Sequence, residues 1–144
     1  MRLGSGAEHS ERNHSQTEPM EFIQMWILPS QRGLAPSIEQ RQYSALDRTD
    51  RLLRFLKPEG SEGDGITVAQ DVSMYVTTLS AAKAVEHVIG AGRGGYLYVI
   101  DGAVRAYDES MTKGDAAYLV DAGTLRLAAS KTSDLLLIDT PLSR

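Results

Sequence analysis

The sequence predicts an all-β protein, a barrel or sandwich that follows a polar N-terminal extension. From Ile66 onward, short runs of β-branched, aromatic and leucine residues recur at close spacing, with glycine- and aspartate-rich turns between them. Residues 95–107 are the clearest example, because Tyr-Leu-Tyr-Val-Ile suits a pleated strand and Asp101-Gly102 suits a tight turn. The sequence shows no apolar periodicity of a helix of ordinary length.

The composition fits one compact domain with a sizeable core. The chain has 144 residues, of which 42% are hydrophobic and 24% charged. The net charge of −4 and the pI near 5.3 argue against a nucleic-acid partner. The sequence has no cysteine, which excludes disulfides and thiolate chemistry. No apolar run is long enough to cross a membrane and the polar N-terminus is no secretory signal, so we expect a cytoplasmic protein without a membrane partner.

The N-terminal third divides into an extension, a strand and a long connection. Residues 1–19 lack apolar periodicity and are expected to be an extension that must be tied to something if it is ordered. Residues 20–28 predict the first strand, which a proline ends. Residues 30–44 predict a surface connection, with one helical turn at 38–42. The predicted barrel comprises residues 20–144.

The rest of the chain predicts a series of short strands. Residues 95–107 are expected to form a hairpin whose strands are buried on both faces, since their apolar residues occupy both faces. The glycine-rich loop at 90–95 precedes this hairpin. The other predicted strands are 52–56, 66–70, 74–79, 84–89, 116–120, 125–128 and 135–138.

Several of these segments resemble known family motifs. The strand and turn at 96–102, Gly114-Asp115 and Ala122-Gly123 resemble the conserved strands and turns of the cupin barrel, a double-stranded β-helix or jelly roll. His-Ser-Glu at 9–11 and Gln-Met-Trp-Ile-Leu-Pro at 24–29 resemble the middle of a pirin-family protein. That family includes bacterial proteins described as quercetin 2,3-dioxygenases.

The pirin resemblance implies a bicupin with one metal, usually iron, in its N-terminal barrel. The implied ligands are a His-x-His pair followed by a His-x-Glu motif. His9 and Glu11 match the third and fourth ligands, and the His-x-His pair would lie upstream. The chain therefore resembles the C-terminal cupin with a short remnant of the first barrel.

The general cupin pattern implies where ligands of the second barrel would fall. Its glutamate falls on Gly95, its last histidine falls near Arg126, and none of the matching residues is a metal ligand. The register leaves two choices open for its histidine pair, Val88 with Gly90 or Ile89 with Ala91.

His9 and Glu11 are the candidate metal ligands, because a spacing of two puts both side chains on one face of an extended strand. His14 is a candidate third ligand without support from the resemblance, and a second subunit could supply others. The alternative interpretation is a structural remnant.

Four residues are candidates for lining a ligand cavity in the barrel: His87, Tyr96, Tyr98 and Arg126. The alternatives are a core histidine, tyrosines that simply fill the barrel, and a solvated arginine. No residue is assigned a catalytic role.

We expect a non-catalytic cupin module that needs no cofactor and takes part in binding or protein interaction. The expected partner is a second copy, in a homodimer that exchanges the N-terminal segment. A small-molecule ligand of the barrel is the other partner that the sequence leaves open. The alternative is an iron-dependent dioxygenase acting on flavonols such as quercetin, with His9 and Glu11 in its metal site. A third interpretation is the inactive product of a truncated gene.

Overall fold

The all-β prediction is confirmed by the structure, a computed structural model that describes residues 1–6, 8–120 and 122–142. The described residues form one short helix and ten strands. The elements are α1 (Ala45–Arg48), β1 (Leu53–Pro58), β2 (Ile66–Val68), β3 (Ser73–Leu79), β4 (Ala84–Ile89), β5 (Arg93–Asp101), β6 (Ala103–Ala106), β7 (Glu109–Thr112), β8 (Ala116–Leu119), β9 (Gly123–Ala129) and β10 (Ser133–Pro141).

The strands form two sheets with the core between them. One sheet has the order β2-β1-β3-β10-β5-β8 and the other the order β4-β9-β6-β7. All neighbours run antiparallel except β1 and β2, which are parallel. Both sheets contribute large apolar side chains that are at most 1% exposed: Leu79, Ile89, Leu97, Val99, Leu125, Leu127, Leu135 and Leu137.

The central strand β5 shows the expected alternation, but only one of its faces is fully buried. Leu97 and Val99 point into the core and are 0% exposed. Tyr96 and Tyr98 lie on the outer face and are half-buried, and the Tyr96 ring packs against Tyr118 with centroids 5.3 Å apart. The prediction of burial on both faces is therefore wrong for the outer face, because a tyrosine neighbour covers only part of it.

The predicted hairpin at 95–107 is also wrong. β5 pairs with β10 and β8, whereas β6 pairs with β7 and β9 in the other sheet. Gly102, with φ of 92°, is the corner at which the chain passes from one sheet to the other. The actual hairpin joins β6 to β7 through Tyr107 and Asp108. An Asp-Gly pair supplies positive φ angles to a corner as readily as to a hairpin, so the local signal cannot tell them apart.

The N-terminal region differs from its prediction as well. Within the described residues, 20–28 belong to no strand, and the helical turn lies at Ala45–Arg48 rather than at 38–42. This segment is tied to the barrel where the Ser30 N–H donates to the carbonyl of Ala69, at 2.8 Å. β propensity alone does not make a strand, since a strand also needs hydrogen-bonding partners along its length. The division at residue 19 stays a prediction.

Candidate functional site

His9 and Glu11 lie in contact on the N-terminal extension. His9 Nε2 is 3.0 Å from Glu11 Oε1, and the two side chains are 25% and 44% exposed. The spacing of two thus puts the imidazole and the carboxylate side by side, as an extended backbone requires.

A turn in the extension brings a third side chain to this pair. The Asn13 side chain donates to the carbonyl of Glu18, and the Ser15 hydroxyl accepts from the Glu18 N–H at 2.8 Å. The chain therefore folds back, and Gln24 Nε2 lies 3.2 Å from His9 Nε2. Gln24 was missed in the sequence because an amide carries no metal-ligand signal and lies fifteen residues away.

The donors fit a divalent cation, although not a closed site. A neutral imidazole and a carboxylate suit iron, nickel, copper or zinc. Among residues 1–6, 8–120 and 122–142, no three His, Cys, Asp or Glu side chains are grouped closely enough to hold a metal. His14 is exposed and does not complete such a group with His9 and Glu11.

A second polar cluster lies at one end of the barrel and is centred on Asp139. Its carboxylate accepts from His87 Nε2 at 2.7 Å and from Arg93 Nε at 2.6 Å. Arg93 also donates from Nη1 to both oxygens of Asp71, at 2.9 Å. The His87 ring packs against Tyr75 with centroids 4.7 Å apart. We call these five residues the Asp139 network.

The network holds its central carboxylate in the charged form. Burial would raise the pKa of Asp139, but the hydrogen bonds from His87 and Arg93 and the charge of Arg93 outweigh it and leave the pKa below its usual range. Burial likewise works to lower the pKa of Arg93, and the hydrogen bonds to its two aspartates raise it instead. The paired charges therefore persist across the physiological pH range.

Only one member of the Asp139 network was singled out in the sequence. His87 was chosen because it alternates with Val85 and Ile89, and its side chain is indeed only 12% exposed. Asp139 was missed, although it continues the inward alternation of Leu135 and Leu137 along β10. An aspartate in phase with buried leucines is the signal that could have found it.

The other three residues predicted to line a cavity, Tyr96, Tyr98 and Arg126, do not share a cavity with His87. Tyr96 and Tyr98 point to the outer face of β5. Arg126 projects to solvent from β9, with its side chain 63% exposed and its Nε 3.8 Å from Glu86 Oε1.

A separate cleft of about 400 Å³ lies between β7 and β8. Its lining includes Tyr107, Met111, Tyr118, Leu119 and Val120.

The structure also distinguishes the two ligand registers that the sequence left open. Ile89 points into the core and is 1% exposed, whereas Val88 is 69% exposed. Gly95 faces the same interior, since a Cβ there would lie 2.9 Å from Leu119 Cδ1 and 3.4 Å from Ile89 Cδ1. Ile89 and Gly95 are thus the interior positions that match ligands of the cupin pattern, and in this chain both make apolar contacts.

Comparisons with known proteins agree with this geometry. A model of the quercetinase C-terminal cupin domain matches residues 56–140. A quercetin 2,3-dioxygenase of Escherichia coli K12 is 30% identical over 141 residues, which are 98% of this chain and 59% of that protein. A pirin-like protein of Caulobacter vibrioides is 27% identical over 139 residues, or 96% of this chain and 60% of that one.

Solved structures give the same result. The crystal structure of YhhW from E. coli has a TM-score of 0.74 and 27% identity, covering 83% of this chain and 49% of that chain. A structure of bacterial pirin YhhW in complex with nickel(II) has a TM-score of 0.72. The fold is thus that of a cupin barrel.

More narrowly, the chain belongs to the pirin family, and the matched domain is the C-terminal cupin. The chain spans about 59% of the length of the curated relatives it matches. No helix among the described residues is long and apolar enough to cross a membrane.

Proposed function

We propose that this chain acts as a pirin-type C-terminal cupin that binds a second copy of itself through its N-terminal segment. The observation that carries the proposal is a row of exposed apolar side chains on residues 20–28, the binding arm. Phe22 is 60% exposed, Trp26 78% and Leu28 79%. Large apolar side chains exposed together on one segment are typical of interaction sites in soluble proteins.

The barrel favours interaction over chemistry in its own interior. Its inward side chains are leucines, isoleucine and valine at most 1% exposed, packed as a core rather than arranged around a ligand. The partial exposure of Arg93 and Asp71 puts the Asp139 network at the surface end of this core.

A second copy is the partner that fits the arm. The arm is tied to the barrel next to β2, because Gln70 Nε2 donates to the carbonyl of Leu28 at 2.8 Å. Among the described strands, β2 lies at the edge of its sheet and pairs with β1 alone. In a twofold dimer, each arm can run along the β2 edge of the other copy, which satisfies the arm and both strand edges together.

Size-exclusion chromatography with light scattering tests this proposal. The wild-type chain should elute at micromolar concentration with twice the chain mass of 15.7 kDa. The double variant Trp26→Ser/Leu28→Ser should be monomeric and folded, with the circular dichroism spectrum of the wild-type chain. Tyr118→Ser is the matched control, since Tyr118 is 81% exposed on the barrel, and it should remain dimeric. A monomeric wild-type protein would overturn the proposal.

A second candidate function is a metal-dependent dioxygenase acting on a flavonol such as quercetin. The contact between His9 and Glu11 favours it, together with the relatives named quercetin 2,3-dioxygenase. His9 and Glu11 would hold iron or another divalent metal, together with further ligands from elsewhere in the chain or from a second subunit. The metal, when bound, would supply the activation of oxygen and substrate. The chain's own residues would hold that metal through a neutral imidazole and an ionised carboxylate.

Metal analysis and oxygen uptake with quercetin test the second function. The protein loaded with Fe²⁺ should retain metal and consume oxygen, and His9→Ala should lose both. Retention of less than about a tenth of an equivalent, with no effect of His9→Ala, would exclude it.

A further inference from the structure

The side chain of Gln24 lies where a third ligand of a cation would lie. Gln24 Nε2 is 3.2 Å and Glu11 Oε1 is 3.0 Å from the same atom, His9 Nε2. We propose that Gln24 is a donor of a divalent-cation site together with His9 and Glu11. The proposal rests on the metal-binding part of the second candidate function and on no reaction.

The distances agree with a shared cation. Protein ligands lie about 2.0–2.2 Å from a zinc-sized ion. Two ligands at right angles around such an ion are about 3.0 Å apart, and two at the tetrahedral angle are about 3.4 Å apart. Both measured separations fall in this range. The separation of His9 from each of the other two side chains is therefore that of neighbouring ligands on one small cation.

The donor chemistry agrees as well. A half-turn of the Gln24 carboxamide exchanges its nitrogen and oxygen and puts Oε1 toward His9. An amide oxygen, a carboxylate and a neutral imidazole together form a donor set of charge −1, which suits a divalent cation. Without a cation, His9 Nε2 contacts both the Glu11 carboxylate and the Gln24 carboxamide.

The fold explains why residues so far apart in sequence meet. The turn between Asn13 and Glu18 reverses the chain, so that the segment carrying His9 runs back beside Gln24. Because Gln24 belongs to the binding arm, the site joins the arm to the extension. The side-chain exposure of His9 and Glu11, 25% and 44%, leaves the remaining coordination positions open to water.

Calorimetric titration of the full chain with NiCl₂ tests the proposal, without substrate or oxygen. Wild type should bind one equivalent, and His9→Ala should abolish binding. Gln24→Leu should weaken binding about tenfold. Gln24→Glu should tighten binding several-fold, because a carboxylate is a stronger donor to a divalent cation than an amide. Gln16→Glu, the same charge change at an exposed glutamine, should bind as wild type does.

Each contrary result has a definite meaning. No nickel binding by wild type, or Gln24 variants that bind within twofold of wild type, overturns the proposal. Weaker nickel binding by both Gln24→Glu and Gln24→Leu would show that Gln24 is not a ligand. A carboxylate that contacts the cation should strengthen nickel binding, not weaken it. Circular dichroism and the thermal midpoint check that each variant is folded. Nickel binding by wild type, combined with no oxygen uptake by the Fe²⁺-loaded protein with quercetin, would uphold the site and exclude the dioxygenase alone.

Discussion

His87 Nε2 lies 2.7 Å from Asp139 Oδ2 and thereby joins β4 of one sheet to β10 of the other. This contact is shielded from solvent, because the side chains of His87 and Asp139 are only 12% and 8% exposed. Arg93 shares the same carboxylate from β5. The sheets are thus connected at this end of the barrel by charge as well as by apolar packing.

Loss of this carboxylate should destabilise the barrel. Asp139→Asn leaves Arg93 with a weaker partner in a shielded place, so the free energy of unfolding should fall by about 2–4 kcal/mol. Asp101→Asn is the control, because Asp101 is 65% exposed and 3.7 Å from Lys113, and it should cost less than about 0.5 kcal/mol. Urea unfolding at neutral pH measures both, and equal losses would contradict a special role for Asp139.

The same contact should make stability depend on acid pH. The pKa of Asp139 in the folded state lies below its ordinary value of 3.8. Its ionised form therefore contributes stability above that value, and the contribution is lost as the pH falls through the folded pKa. The difference in unfolding free energy between wild type and Asp139→Asn should shrink from about pH 6 to about pH 3. A difference that stays constant over this range would count against the prediction.

Two glycines with positive φ should respond differently to alanine. At Gly102 (φ 92°) a Cβ would lie 2.4 Å from the Thr132 carbonyl oxygen, whereas at Gly114 (φ 88°) it would meet nothing within 4 Å. Gly114→Ala should cost only the backbone strain, about 1–2 kcal/mol. Gly102→Ala should cost about 2 kcal/mol more, because the sheet-to-sheet corner must shift. Thermal unfolding of the pair measures the difference, and similar midpoints would refute it.

Trp26 should report on the binding arm, because it is the chain's one tryptophan. Its side chain is 78% exposed in a single copy, so acrylamide should quench the fluorescence of dilute protein efficiently. If a second copy covers the arm, quenching should become weaker as the protein concentration rises through the dimer dissociation constant. Quenching that is independent of concentration, in a protein shown to dimerise, would place the dimer contact elsewhere.

The sequence predicted the strands better than their neighbours. β4 has the predicted bounds, and the inward positions of His87 and Ile89 follow from its alternation. A strand's residues report local geometry and burial, but its partner depends on segments far along the chain. Residues 20–28 show this limit, because their β propensity is high and yet they belong to no strand in the described structure.

In the candidate sites, too, the sequence predicted the local contact and missed the long-range ones. The contact of His9 with Glu11 follows from a spacing of two, which local geometry alone determines. Gln24 and Asp139 could not be placed by spacing, since each reaches its histidine through a fold-dependent contact over fifteen and fifty-two residues respectively.

β10 is the last described strand, and it lies in the middle of the larger sheet, between β3 and β5. During synthesis, β3 and β5 leave the ribosome well before the strand that must separate them. The sheet can therefore be completed only when residues through Pro141 have emerged, and until then β3 and β5 each lack the hydrogen-bonding partner that β10 provides. Nascent chains of this protein should thus depend on chaperones that shield strand edges, and a ribosome stalled before β10 would hold a chain prone to aggregate.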